Sequence, residues 1–240
     1  MENKSVVITG GSRGIGRACV EYFAGLGYRV AFIYSKSDEA AMELADKCGA
    51  LALKADVSDS ASVGAAIERA VEWLGGVDVL INNAGIAQVK LLSDVTDADW
   101  DRMLGVNLSG VFYATRAIIP TMVAQKSGRI INIGSVWGRC GASCEAHYSA
   151  TKSAIRGLTY SLAKELGPSG ITVNCIEPGV IDTDMNGDLD EAAMRELADE
   201  TPLMRIADPI EVAYLAEFLS SERATFITGQ TIGVDGGFAL

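Results

Sequence analysis

The sequence predicts an α/β fold: one doubly wound parallel sheet of about seven strands with helices on both faces. Three observations carry that prediction. Short β-branched runs alternate along the chain with longer segments of helical period, the strand runs are largely apolar, and no internal repeat, low-complexity tract or linker interrupts the series. Strands that are apolar on both faces and separated by helices belong in a parallel sheet covered on both sides, and such sheets bind ligands beyond the carboxyl ends of their strands.

The elements follow in order. SVVIT is the first strand and leads to a helix over 14–27; YRVAFIY is the second, with a helix over 38–47; LALKA is the third, with a helix over 60–74. DVLIN forms the fourth strand and precedes one long helical stretch over about 97–125. RIINIG is the fifth, followed by a helix over about 148–166, and ITVNCIEPG is the sixth. A polar excursion, the helix EVAYLAEFL and a short last strand near QTIGV complete the chain.

At 240 residues, 49% hydrophobic and 21% charged, the chain suits one domain over 1–240. A formal net charge of −11 argues against nucleic acid and against anionic membrane surfaces, both of which would repel it. No run of eighteen apolar residues occurs and MENKSVVITGG enters a strand pattern at once, so a cytoplasmic protein is expected. Cys19, Cys48, Cys140, Cys144 and Cys175 form no C-x-x-C and read as free thiols; with one histidine in the chain, no metal site is expected.

The first strand runs into TGGSRGIG, with Gly10, Gly14 and Gly16 at the turn that opens a helix and Ser12, Arg13 and Ile15 between them. Residues without Cβ let such a turn close tightly and bring backbone N–H groups at a helix start up to a pyrophosphate. A purely structural turn could carry the same glycines, but a strand before and a helix after are the context a dinucleotide needs. Farther on, HYSATK sets Tyr148 and Lys152 four apart, directly after His147. Alone, that pair is two neighbours on a helix face, Ser135 a turn serine and Asn107 a polar helix residue.

Taken together, the G-x-x-x-G-x-G spacing, NNAG at 82–85, VNLSG at 106–110, NIGSVWG at 132–138, YSATK at 148–152, PGVIDT at 178–183 and TGQTIGVDGG at 228–237 occur in one order over the whole chain. That set resembles the short-chain dehydrogenase/reductase family, whose fold is of Rossmann type. The resemblance implies Tyr148 as general acid/base, with Lys152 lowering its pKa and bonding the nicotinamide ribose. It implies Ser135 as donor to the substrate carbonyl and Asn107 as holder of a relay water. A phenol of pKa about 10 needs such a nearby cation to exchange protons near neutrality. No catalytic role is implied for His147.

The cofactor is expected to be NADP. The second strand ends in Tyr34, Ser35 and Lys36, with no acidic residue for the adenosine ribose, and Arg13 lies in the glycine turn, so a 2′-phosphate has cations to meet it. By resemblance, Asp56 and Val57 flank the adenine, Asn83, Ala84 and Gly85 line the cofactor, and Pro178, Gly179 and Thr183 follow it toward the pyrophosphate or carboxamide.

PGVIDTDM and FITGQTIGVDGG are most similar to the family's 3-oxoacyl-[acyl-carrier-protein] reductases of fatty acid synthesis, which implies a carrier-bound ketone, acyl carrier protein as partner and a homotetramer. Two other readings stand beside it. SVWGRCGASCEAHYS, with Glu145 near the substrate mouth, resembles the reductase paralogue that acts on 5-aminopentanone attached to elongation factor P, and a non-catalytic NADP-binding sensor would share the fold. Family reductases meet the acidic carrier with basic residues before the fifth and sixth strands; Arg129 stands at the first, but Ser169 and Gly170 at the second carry no charge. Asp184, Asp188, Asp190, Glu191, Glu196, Asp199 and Glu200, against Arg195 alone, are read either as a solvated face with a capping cluster or as a pocket wall favouring an amine-bearing ketone.

Overall fold

The computed structural model describes residues 4–187 and 190–239. Its order is β1 (Ser5–Thr9), α1 (Gly14–Gly25), β2 (Arg29–Tyr34), α2 (Asp38–Cys48), β3 (Leu51–Lys54), α3 (Ser60–Leu74) and β4 (Val79–Asn82). There follow α4 (Asp97–Leu104), α5 (Gly110–Gln125), β5 (Gly128–Ile133), α6 (Trp137–Cys140), α7 (Ala146–Leu166), β6 (Ile171–Pro178), α8 (Glu191–Glu200), α9 (Pro209–Ser220) and β7 (Thr231–Val234). The strands form one seven-stranded sheet in the order β3-β2-β1-β4-β5-β6-β7, and every pairing is parallel.

Alternation along β1 shows why its run is apolar on both faces. Val6 and Ile8 pack on one face with Phe23 of α1, Leu44 of α2 and Val212 and Leu219 of α9. Val7, between them, packs on the other with Ile67 of α3, Ile118 and Met122 of α5, and Leu166 of α7. All of these but Leu166 are 0–1% exposed, so neither face meets water. The strand order reverses between β1 and β4, where both run to the same edge, and there the crevice for a ligand opens.

Local chemistry sets the helix boundaries. Asp59 caps α3 by accepting from the N–H groups of Ala61 and Ser62, and Gly75 closes it with φ 76°, a left-handed conformation. Thr96 and Asp99 form a capping box on α4, and Asp208 and Glu211 form another on α9. The expected helix over 97–125 is divided: a π-helical turn over Gly105–Ser109 separates α4 from α5, and it carries Asn107. Such a turn re-aims a side chain that a regular helix would point elsewhere.

Arg129 is the second residue of β5, 9% exposed, with Nη1 donating to the carbonyls of Gly128 (2.9 Å) and Gly170 (3.4 Å). It is a buried strand-end residue whose guanidinium is turned to backbone carbonyls. It also lies at the amino end of its strand, the edge opposite Ser135. In the acidic segment, Asp184, Asp190, Glu191, Glu196, Asp199 and Glu200 are all exposed, and Asp190 caps α8 through Ala193 N at 2.8 Å. A solvated face with a cap is what they make; Asp188 lies outside the described residues. The five cysteines are free.

Candidate active site

The glycine turn between β1 and α1 is closed by contact with the segment after β4. Asn83 Nδ2 donates to the carbonyls of Thr9 (3.1 Å) and Gly10 (3.0 Å), while Thr9 Oγ1 accepts from the N–H groups of Asn83 and Ala84 at 3.0 Å each. Gly10 (φ 68°) and Gly14 (φ 52°) take the left-handed conformation that favours glycine. Gly16 has no room for a side chain: a Cβ there would stand 2.1 Å from the Gly10 carbonyl oxygen and 2.5 Å from Asn83 Nδ2. Thr183 comes over the same turn, its Cγ2 3.3 Å from a Cβ built on Gly14. This cradle of N–H groups at a helix start fits a pyrophosphate, so the residues present suit a dinucleotide.

Beside the glycine turn and the end of β2, Arg13 precedes α1 in extended conformation, and Arg13, Ser35 and Lys36 are all exposed. Asp38, the nearest acid after β2, is engaged elsewhere. Lys54 Nζ donates to its Oδ2 at 2.6 Å, and Lys54 and the Tyr34 hydroxyl hold the carboxyl below its ordinary pKa. Asp56 is likewise held low, first by the Ser58 hydroxyl and N–H and in part by Arg102 and Lys36. Val57 packs at 3.0 Å against a Cβ built on Gly110, and Gly179 lies against Asp235, 2.8 Å from its Cα by the same measure.

At the carboxyl ends of β4 and β5 the four remaining polar residues converge. Tyr148 is 7% exposed, Lys152 5%, Ser135 7% and Asn107 1%, so all act in a largely dry site. Lys152, one turn beyond Tyr148 on α7, donates to the Ile133 carbonyl at 2.8 Å and has its Nζ 5.6 Å from the Tyr148 ring centroid. A Cβ on Gly85 would lie 3.5 Å from Asn107 Oδ1 and 3.6 Å from Lys152 Nζ, so Gly85 sits between them. Asn107 is itself fixed: Oδ1 accepts from Ile86 N at 2.8 Å and Nδ2 donates to Ile86 O at 2.9 Å. A second lone pair of Oδ1 remains for another donor. Ser135 Oγ accepts from Trp137 N at 3.2 Å, which orients the hydroxyl at the start of α6.

Burial sets the proton affinities. It pushes the Tyr148 phenol up to about 12; the Ser135 hydroxyl pulls against this, and the Glu145 carboxylate adds to it. Burial also brings the Lys152 ammonium down to about 8, and the expected lowering of Tyr148 by Lys152 is not met: desolvation of the buried ring dominates and the phenol is raised. Glu145, immediately before α7, is half-buried and its carboxyl is raised by desolvation.

The sequence from residue 10 to 239 matches the model of a family described as enoyl-(acyl carrier protein) reductase. The chain is 38% identical to a short-chain dehydrogenase/reductase of Serratia marcescens, whose structure superposes with a TM-score of 0.92 over 99% of this chain and 98% of that one. The chain belongs to the short-chain dehydrogenase/reductase family. Other members are as similar. The 3-oxoacyl-[acyl-carrier-protein] reductase FabG of Staphylococcus aureus is 41% identical over 99% of this chain and 98% of its own. A 3-ketoacyl-(acyl-carrier-protein) reductase from Brucella melitensis, solved with NADH, is 33% identical with a TM-score of 0.95, covering 100% of this chain and 99% of that one. Membership makes this chain an oxidoreductase of the ketone/alcohol type with a nicotinamide cofactor.

Of the residues singled out from the short-chain dehydrogenase/reductase motifs, Gly10, Gly14, Gly16, Asn83 and Thr183 meet at the glycine turn, and Gly85, Asn107 and Lys152 meet at the ends of β4 and β5. Thr9, Gln88 and Thr151 also build the site, and sequence alone does not distinguish them. Thr9 ends a strand like many threonines, Gln88 stands in a segment without periodicity, and Thr151, which donates locally to the Tyr148 carbonyl (2.7 Å), meets Asn107 Nδ2 (3.3 Å) only through the fold. Among the described residues no group of three metal-binding side chains occurs, and no helix is long and apolar enough to cross a membrane.

Proposed function

We propose that this protein is an NADPH-dependent 3-oxoacyl-[acyl-carrier-protein] reductase that turns a carrier-bound ketone into an alcohol. The observation that carries this reading is the burial of Tyr148, Ser135, Lys152 and Asn107 together, with Lys152 and Asn107 meeting at Gly85 and Ser135 beside the Tyr148 hydroxyl, in a chain so similar to FabG enzymes along its full length. NADPH, when bound, supplies the hydride for the carbonyl carbon. The remaining work falls to the chain. Ser135 holds the carbonyl oxygen, and Tyr148 gives that oxygen its proton. Lys152 offsets the charge left on the phenolate and holds a ribose hydroxyl, and Asn107 offers its free lone pair to a water behind Lys152. A nucleotide sensor has no use for these four groups together in a dry pocket.

NADP is favoured over NAD because Arg13 and Lys36 are exposed at the adenosine end while Asp38 is tied to Lys54. Arg13→Ala with Lys36→Ala is expected to weaken NADPH at least about tenfold more than NADH, because only NADPH loses charge-assisted bonds. Equal weakening would mean these cations do not read the phosphate. We also expect a homotetramer in the cytoplasm, with exposed Phe112 and Val123 of α5 and Tyr160 of α7 covered by partner subunits. A monomer in sedimentation runs would contradict the assembly.

The substrate is tested by kcat/KM, side by side, for an acetoacetyl carrier protein and for elongation factor P bearing 5-aminopentanone. Preference for the carrier protein, unchanged in Glu145→Gln, is the expected result. Preference for the modified factor, lost in that variant, would reassign the substrate to the amine-bearing ketone and give Glu145 the role of meeting its cation.

A further inference from the structure

The segment after β4 is fastened to the catalytic elements at alternate residues. Ile86 exchanges two hydrogen bonds with Asn107, Gln88 Oε1 lies 3.0 Å from His147 Nε2, and Lys90 N donates to the Cys144 carbonyl at 2.7 Å. Ala87 and Val89, between them, are exposed. The segment thus runs as an extended strip along the mouth of the site, with one edge held by the π-helical turn and by the residues leading into α7. His147 is the middle fastening, 1% exposed and directly before Tyr148.

The polarity of that fastening follows from Asp99. Its carboxylate, already accepting from Lys90 Nζ (2.8 Å), Thr96 N (3.0 Å) and Thr96 Oγ1 (2.7 Å), also accepts from Gln88 Nε2 at 3.0 Å. An ionised carboxylate only accepts, so the Gln88 amide must present its NH2 to Asp99 and its oxygen to His147. His147 must therefore donate from Nε2. Nδ1 is buried with no partner among the described residues, so a proton there would be an orphaned donor and the Nε2–H tautomer is the form that fits.

We propose that His147 is a positioning residue: through Gln88, and in the Nε2–H tautomer that Asp99 imposes, it holds the 86–90 strip against the first turn of α7 and so fixes where the substrate chain lies relative to the Tyr148 hydroxyl. The inference rests on the reading of Tyr148 as the proton donor. It makes binding of the ketone, rather than the chemical step, the quantity that His147 controls.

Because the chain has one histidine, the imidazole nitrogens of uniformly 15N-labelled protein report its tautomer without assignment and without turnover. The expected spectrum is that of Nε2–H alone in the wild type, and a mixture in Gln88→Leu. In kinetics, Gln88→Leu and His147→Leu should each raise the ketone KM about tenfold, the worth of one net hydrogen bond, with kcat nearly unchanged. The double variant should be no worse than either single one, and His147→Gln, whose amide can donate along the same line, should recover most of the loss. If His147→Leu does not fold, the tautomer spectra and Gln88→Leu still decide. An Nδ1–H ring in the wild type, additive effects, or a fall in kcat with KM unchanged would overturn the proposal. Failure of the Tyr148 reading would instead show as full turnover in Tyr148→Phe with the tautomer result intact.

Discussion

Replacing Tyr148 by Phe is expected to lower kcat for ketone reduction by at least about a hundredfold while leaving NADPH affinity close to that of the wild type, the lower range of what a positioned general acid contributes. The ring is 7% exposed and packed, so Phe keeps its volume and removes only the hydroxyl. The pKa shifts fix the direction of the pH effect. Burial raises the phenol to about 12, so Tyr148 carries its proton throughout the neutral range, the form a reduction requires. Burial lowers Lys152 to about 8, so its ammonium is charged below that pH and lost above it. The kcat/KM for NADPH, which reports the free enzyme, should then fall as pH rises through about 8. Normal turnover in Tyr148→Phe, or a profile that climbs through that range, would remove these two residues from the roles given to them.

Gly16→Ala is expected to destabilise the protein by about 3 kcal/mol and to weaken NADPH by more than an order of magnitude, since overpacking a closed site forces backbone to move. The added Cβ meets the Gly10 carbonyl oxygen at 2.1 Å and Asn83 Nδ2 at 2.5 Å. Neither neighbour can yield freely: one is backbone, and the other is held by bonds of 3.1 Å and 3.0 Å to Thr9 and Gly10. Gly64 of α3 serves as the control, with nothing within 4 Å of its built Cβ. Denaturant midpoints for the two variants, with NADPH titrations alongside, measure both effects. A Gly16→Ala protein as stable as Gly64→Ala and binding NADPH normally would show that the turn has slack.

The strands and their parallel pairing were legible because burial on both faces leaves mainly apolar runs, unbroken in VVI of β1, VAFIY of β2 and VLI of β4, though β5 and β6 also bury Asn132, Asn174 and Glu177. The glycine cradle was legible for the same kind of reason, since the need for missing Cβ atoms is written directly into residue types. Asn107 could be picked out by its motif, but not the π-helical turn that aims it, which depends on how α4 and α5 meet. Arg129 was picked out by its place beside the fifth strand, and place along a strand says nothing about depth: it is 9% exposed. His147 stood out only as the chain's single histidine. Its partners Gln88 and Asp99 lie 59 and 48 positions away in sequence, and nothing local ties the three together before the chain folds.

The most direct test of the account uses NADPH deuterated at the transferring position of C4 in a single turnover with an acetoacetyl thioester. The account requires a 3-hydroxyacyl product carrying one deuterium on the reduced carbon, formed at wild-type rate only when the Tyr148 hydroxyl is present. Product without the label, or no consumption of NADPH with any 3-oxoacyl thioester, would contradict it.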